Sequence, residues 1–230
     1  MRDSLFYTQK NGYELIGLEE RQALEEYSRG YMEFLNDSRT EREAVKNAVE
    51  MAEAQGFMEY CPGKELKPGT KVYRRNRGKA LMLAVIGKKD LSHGAVIAGA
   101  HVDAPRLDLK QIPMYESDEL CYFRTHYYGG IKKYQWVTIP LELHGIVALK
   151  SGEVLDVSIG REPGEPRFVI TDLLPHLASE QMKKTMSEGI TGEGLNILIG
   201  SIPYADEGKD RVRLAVLSIL NLSLIHISEP

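Results

Sequence analysis

The chain opens with two stretches in which apolar residues recur at helical spacing. In residues 18–35 the apolar positions share one face, opposite glutamates and arginines. These positions are Leu24, Tyr27, Tyr31, Phe34 and Leu35. A second stretch, residues 40–56, starts with Thr40 and Glu43 at the spacing of a capping box, in which each residue satisfies the other's backbone N–H. The pattern predicts two amphipathic helices.

Three strand-like runs follow a region rich in proline and glycine turns. They occupy residues 71–74, 80–86 and 95–100. The last run, Ala95-Val-Ile-Ala-Gly-Ala, is apolar at successive positions and therefore on both faces of a strand. Such a strand is typical of a sheet covered by helices on both sides. We therefore expect a central strand here and an α/β sheet around it.

The local residue composition changes near residue 113, where short runs rich in Tyr, Thr, Val and Ile alternate with glycine turns. A short amphipathic helix at residues 173–186, with His176 near its start, and a second helix at residues 210–220 complete this part. We interpret residues 1–112 as the N-terminal part of an α/β domain. Residues 113–221 then form a mostly β domain inserted into it.

Composition narrows the possible partners and location. The 230 residues are 43% hydrophobic and 27% charged, with a net charge of −4 and no basic block that would follow a phosphate backbone, so we expect no nucleic-acid partner. The apolar runs are shorter than the roughly 20 residues of a membrane span, and the N-terminus has no secretory pattern. Cys61 and Cys121 are far apart and lack metal spacing, which favours a reducing compartment. We expect a cytoplasmic protein with no membrane partner.

The last nine residues of the chain need separate treatment. Residues 222–230, Leu-Ser-Leu-Ile-His-Ile-Ser-Glu-Pro, resemble the translation of a sequencing adapter. We therefore expect an artefactual tail, in which His226 has no function, and base no expectation about the fold on it.

The strongest chemical signal is a His-x-Asp motif, His101-Val-Asp103, where the run at residues 95–100 ends. Ligands bind at the carboxyl ends of strands in α/β sheets, and a neutral imidazole there is a competent zinc ligand. Asp103 could orient that imidazole or a second ligand. A bare His-x-Asp is more often a hydrogen-bonded histidine at a strand end and an aspartate that caps a turn.

The flanking sequence gives the motif a context. The block His101-Val-Asp-Ala-Pro-Arg-Leu-Asp-Leu-Lys-Gln-Ile-Pro resembles the first metal motif of the aspartyl aminopeptidase (aminopeptidase I) family. The resemblance continues in order through residues 125–136, 170–178 and 192–201, and it covers about residues 27–221. Several matching blocks in order are far more specific than any one of them.

The resemblance implies an incomplete zinc-peptidase α/β domain with an inserted β-rich domain that builds dimer contacts and roofs the site. It further implies an aminopeptidase with two Zn²⁺ ions, or Co²⁺ or Mn²⁺ in their place, that hydrolyses peptide substrates within large homo-oligomers. By the same resemblance His101 is a metal ligand and Asp103 supports the metal site. His176 matches a histidine that reaches a neighbouring subunit and stabilises the transition state.

The sequence also departs from this family. The bridging aspartate, the paired glutamates and the last ligands have no match here, and Glu193, a single carboxylate between glycines, cannot replace them. Because catalytic zinc usually needs three protein ligands, we expect this chain alone to be inactive. A non-catalytic homo-oligomerisation module is the alternative. A carbohydrate or nucleotide enzyme is disfavoured, since no phosphate-cradling glycine loop is present.

Overall fold

The computed structural model describes residues 7, 9–205 and 207–228, with side chains up to residue 219. The chain divides into two compact units, Met1–Asp103 and Ala104–Pro230. The boundary predicted between residues 112 and 113 lies inside a strand, β4 (Arg106–Ser117), of the second unit. The division therefore comes directly after the His-x-Asp motif.

Two helices open the first unit, as predicted. They are α1 (Leu18–Asp37) and α2 (Glu41–Ala54). The capping box forms: Glu43 N donates to Thr40 Oγ1 over 3.3 Å, and Thr40 N donates to Glu43 Oε2 over 2.9 Å. Helix α2 buries one face, which includes Val45 and Val49, whereas α1 buries none of its residues.

A small sheet packs with α2 in the first unit. Its strands are β1 (Met58–Glu59), β2 (Lys71–Asn76) and β3 (Ala80–Val85). Strand β2 pairs parallel to β1 and antiparallel to β3. The core consists of Val45, Val49 and Tyr73, and the Tyr73 hydroxyl donates to Glu53 Oε1 over 2.6 Å, which raises the pKa of Tyr73. This core fixes α2 against β2.

The central strand predicted at residues 95–100 is wrong for this structure. These residues have no regular secondary structure and form no β-bridge with any described residue, and all of residues 87–105 are exposed. A strand that is apolar on both faces is stable only when neighbours pair with its backbone and layers cover both faces. The described residues of the first unit supply neither.

The second unit is rich in β-structure, as predicted. Its main sheet has the antiparallel order β4–β5–β8, in which β5 spans Leu120–Tyr128 and β8 spans Ile197–Gly200. A separate hairpin pairs β6 (Leu143–Ala148) with β7 (Val154–Ile159). Together with the helices, these sheets confirm the mixed α/β class.

The core of the second unit lies against β5 and β8. Its buried members are Phe123, Val137, Ile170, Leu195 and Ile197. The buried hydroxyl of Thr125 donates to the Leu195 carbonyl. After a single helical turn, α3 (Met186–Gly189), the last helix α4 (Arg211–Ser228) buries Val212 and extends the helix predicted at residues 210–220. Within the described part of the chain, no helix is long and apolar enough to cross a membrane.

Candidate functional site

The two residues of the His-x-Asp motif contact each other at the end of the first unit. His101 Nδ1 lies 2.9 Å from the Asp103 backbone oxygen and 3.4 Å from Asp103 Oδ1. A carbonyl oxygen can only accept a hydrogen bond, so this contact assigns the proton to Nδ1. In the neutral form of the ring the lone pair is then on Nε2. With 84% of the His101 side chain exposed, Nε2 is accessible to a ligand from solvent.

This arrangement fits one position of a zinc site but not a complete one. A neutral imidazole whose second nitrogen is held by an oxygen is the usual form of a zinc-binding histidine. However, no group of three or more His, Cys, Asp or Glu side chains among the described residues is placed to hold a metal ion. The described residues alone therefore do not form a metal centre, and the roles of His101 and Asp103 remain predictions.

His176 lies in the second unit, in a turn at residues 175–177 rather than at the start of a helix. The predicted amphipathic segment is mostly turns. Asp172 explains part of this, because its Oδ1 accepts from Leu173 N over 2.8 Å and from Gln181 Nε2 over 2.9 Å, which holds the backbone in a non-helical course. The His176 ring is exposed and makes no hydrogen bond to any residue that the structure describes. Its catalytic role also remains a prediction.

Strand β4, which follows the motif, is held near its start by two contacts of Arg106. Arg106 Nε donates to Asp108 Oδ1 over 2.8 Å. The Arg106 guanidinium also lies 4.3 Å from the ring centroid of Tyr128 on β5. Tyr128 is the last residue of β5, and this contact packs its ring against Arg106.

One ion pair near the same sheet was not predicted. Lys110 Nζ lies 2.7 Å and 3.0 Å from the two carboxylate oxygens of Glu193. The hydrogen bond and charge of Lys110 lower the pKa of Glu193. Because 83 positions separate the two residues, no local sequence signal could have found the pair. It ties β4 to the turn Gly192–Gly194.

Comparison with known proteins decides the context of the motif. Residues 34–228 match the aminopeptidase I zinc metalloprotease family, M18. The chain belongs to this family. It is 45% identical over 228 residues to a probable M18 family aminopeptidase 1 from Clostridium acetobutylicum, a match that covers 96% of this chain and 49% of the relative. The resemblance seen in the sequence is confirmed.

Solved M18 structures agree in fold. The Thermotoga maritima aminopeptidase superposes with a TM-score of 0.87 at 39% identity, covering 95% of this chain and 47% of that one. Aminopeptidase I from Borrelia burgdorferi gives a TM-score of 0.81 at 36% identity, covering 93% and 48%. The chain thus spans about half the length of the M18 relatives that it matches.

Proposed function

We propose that the complete protein is a metalloaminopeptidase that releases N-terminal amino acids from peptides. The observation that carries the proposal is the His101 ring, whose Nε2 is available to a metal, inside a chain that matches the M18 family over residues 34–228. Membership of a zinc metalloprotease family makes zinc the expected metal. Two ions, with Co²⁺ or Mn²⁺ as substitutes, belong to this proposal.

In this proposal zinc would supply the activated water that attacks the peptide bond. His101 contributes one ligand, and Asp103 fixes its ring through the contact at Nδ1. The remaining ligands and the general base would come from a part that corresponds to the unmatched half of the M18 relatives. We expect the isolated chain to be inactive for this reason.

His176 has a different part in the proposal. Its exposed ring, which bonds to no described residue, is available to donate a hydrogen bond to the oxyanion of a neighbouring subunit's reaction. A donor aimed at developing charge lowers the barrier because it acts most strongly in the transition state. This role requires self-association.

Exposed apolar side chains around His176 support self-association. They are Leu173, Leu174, Leu177, Met182 and Met186. Exposed apolar clusters of this kind commonly mark protein interfaces. The same exposed residues would also serve the second candidate function, a non-catalytic homo-oligomerisation module. A cytoplasmic location also belongs to the proposal, and it is supported by the free thiols of Cys61 and Cys121.

A full-length chimera tests the activity. This chain would replace the matching half of the Clostridium acetobutylicum relative, and release of the N-terminal residue from peptides would be measured with and without zinc and a chelator. We expect chelator-sensitive hydrolysis. Replacing His101 by alanine should lower activity at least about 100-fold, since even residues that support ligands are worth about 10–100-fold.

Two further variants separate the proposed roles. His176→Ala should lower kcat by about 10²–10³-fold with little change in KM, as removal of an oxyanion donor does. His93→Ala is the matched control, because His93 is another exposed histidine and has no proposed role. A chimera that folds, binds zinc and hydrolyses no peptide would refute the proposed activity. Metal-free assembly of such an inactive chimera would instead support the oligomerisation module.

A further inference from the structure

The segment of residues 94–100 in the first unit, Gly-Ala-Val-Ile-Ala-Gly-Ala, is apolar and open to solvent. Val96 is fully exposed and Ile97 is 87% exposed. No backbone group of residues 95–100 bonds to another backbone group in the described part of the chain. Apolar side chains and unpaired backbone groups together are the features of a surface that binds another polypeptide.

Strand β3 of the same unit has the same features. Leu81 packs against the core of the unit, but Met82, Leu83 and Val85 are exposed, and because consecutive strand residues point to opposite faces, β3 exposes apolar side chains on both faces. Among the described strands, in the order β1–β2–β3, it is also an edge strand with one unpaired side. An edge strand can accept a further strand, and an uncovered apolar face can accept a further layer.

The comparisons indicate what could cover these elements. The relative from Clostridium acetobutylicum is matched over only 49% of its length and the solved Thermotoga maritima chain over only 47%. A second copy of this chain would bring the same open elements and another His101. A polypeptide that corresponds to the other half of an M18 protein would bring new strands and layers, together with further ligands for the metal.

We propose that residues 94–100 and β3 form a docking surface for that other half, and that this half binds when it is supplied as a separate polypeptide. The inference rests on the proposed function in one respect, namely that the protein is completed by an M18 peptidase half. Docking here would cover the residues that directly precede His101. The His-x-Asp motif would then lie at the border of the new interface.

The experiment mixes the 230-residue chain, without metal, with the separately produced half of the Clostridium acetobutylicum relative that has no counterpart in this chain. Sedimentation velocity and calorimetry measure association. We expect a 1:1 complex. The double substitution Val96→Asp and Ile97→Asp should weaken it by at least about 100-fold, because two carboxylates would have to be buried without partners.

The variants are chosen so that folding does not confuse the result. Val96 and Ile97 contribute nothing to either core, so their substitution should leave the circular dichroism spectrum unchanged. The matched control is Ile112→Asp in the second unit, since Ile112 is also exposed, and the affinity of that variant should stay within about three-fold. Hydrogen exchange gives a second measurement, in which residues 94–100 and β3 become protected on mixing.

Each remaining outcome contradicts the inference. These outcomes are no complex, a complex that Ile112→Asp weakens more than the double substitution, and a homodimer formed through residues 94–100 that excludes the other half. Activity is a separate measurement. A complex of the two halves that hydrolyses no peptide supports the docking surface and counts against the proposed function. An active continuous chimera whose separate halves do not associate supports the proposed function and contradicts the docking surface.

Discussion

Replacing Gly200 by alanine should destabilise the second unit, because the position has no space for a methyl group. A Cβ built at Gly200 would lie 2.6 Å from Val216 Cγ2 and 3.4 Å from Val212 Cγ1, both on α4. Valine in a helix has one strongly preferred χ1 rotamer, so Val216 cannot turn away cheaply and α4 must shift. Overpacking costs about 1–3 kcal/mol, and the entropy lost from the unfolded chain returns about 0.4–1 kcal/mol. We expect a net loss of about 1–2 kcal/mol.

The only tryptophan, Trp136, packs against the core of the second unit and makes urea unfolding of that unit visible by fluorescence. The matched control is Gly145→Ala in β6, where no heavy atom lies within 4 Å of the new Cβ and φ is not positive. Gly145→Ala should be neutral or stabilising by up to about 1 kcal/mol. If Gly200→Ala unfolds at the same urea concentration as Gly145→Ala, α4 does not pack on β8 as described.

Three further predictions concern single interactions of the second unit. Thr125→Val should cost about 1–3 kcal/mol in urea unfolding, because the buried Leu195 carbonyl loses its donor, whereas Thr125→Ser keeps that donor and should cost less. Backbone N–H groups of Glu162, Gly160 and Arg161 donate to Glu165 and lower its pKa. The stabilisation from these hydrogen bonds is therefore fully present above the ordinary pKa near 4.5, and it is lost as the pH falls through the lower pKa of the folded state. Urea midpoints measured across that pH range should therefore fall less steeply for Glu165→Gln than for the unchanged chain. Lys110→Met should raise the pKa of Glu193 in an NMR titration, whereas Lys133→Met should leave it unchanged.

Local sequence patterns predicted the elements whose stabilising contacts are also local. The capping box of Thr40 and Glu43 involves residues three positions apart, and it fixed the start of α2 correctly. The Arg106–Asp108 pair is equally local. The Lys110–Glu193 pair and the hydrogen bond from Thr125 to Leu195 depend on strand register, and no periodicity reports that.

The helix predicted at residues 173–186 is absent for a different physical reason. Apolar spacing in residues 173–186 is compatible with a helix, but it does not record how side chains compete for backbone bonds. Asp172 accepts from the next backbone N–H and from Gln181, and both bonds stabilise a turn. The apolar residues then stay exposed, so their spacing describes no buried helical face.

The strand predicted at residues 95–100 does not form, and the reason bears on function. Their pattern predicts burial on both faces, yet nothing in the described first unit covers them. The very next residue, His101, has a second unmet requirement, since its imidazole fits one ligand position without the others among the described residues. Covering layers and convergent ligands both come from distant parts of a sequence, because loops from several strands meet where a buried strand ends. A module built only for self-association has no reason to combine an open apolar segment with a metal-competent histidine at its end. The proposed peptidase, in which a polypeptide corresponding to the unmatched half of the M18 relatives covers the segment and supplies ligands, explains both unmet requirements with a single partner.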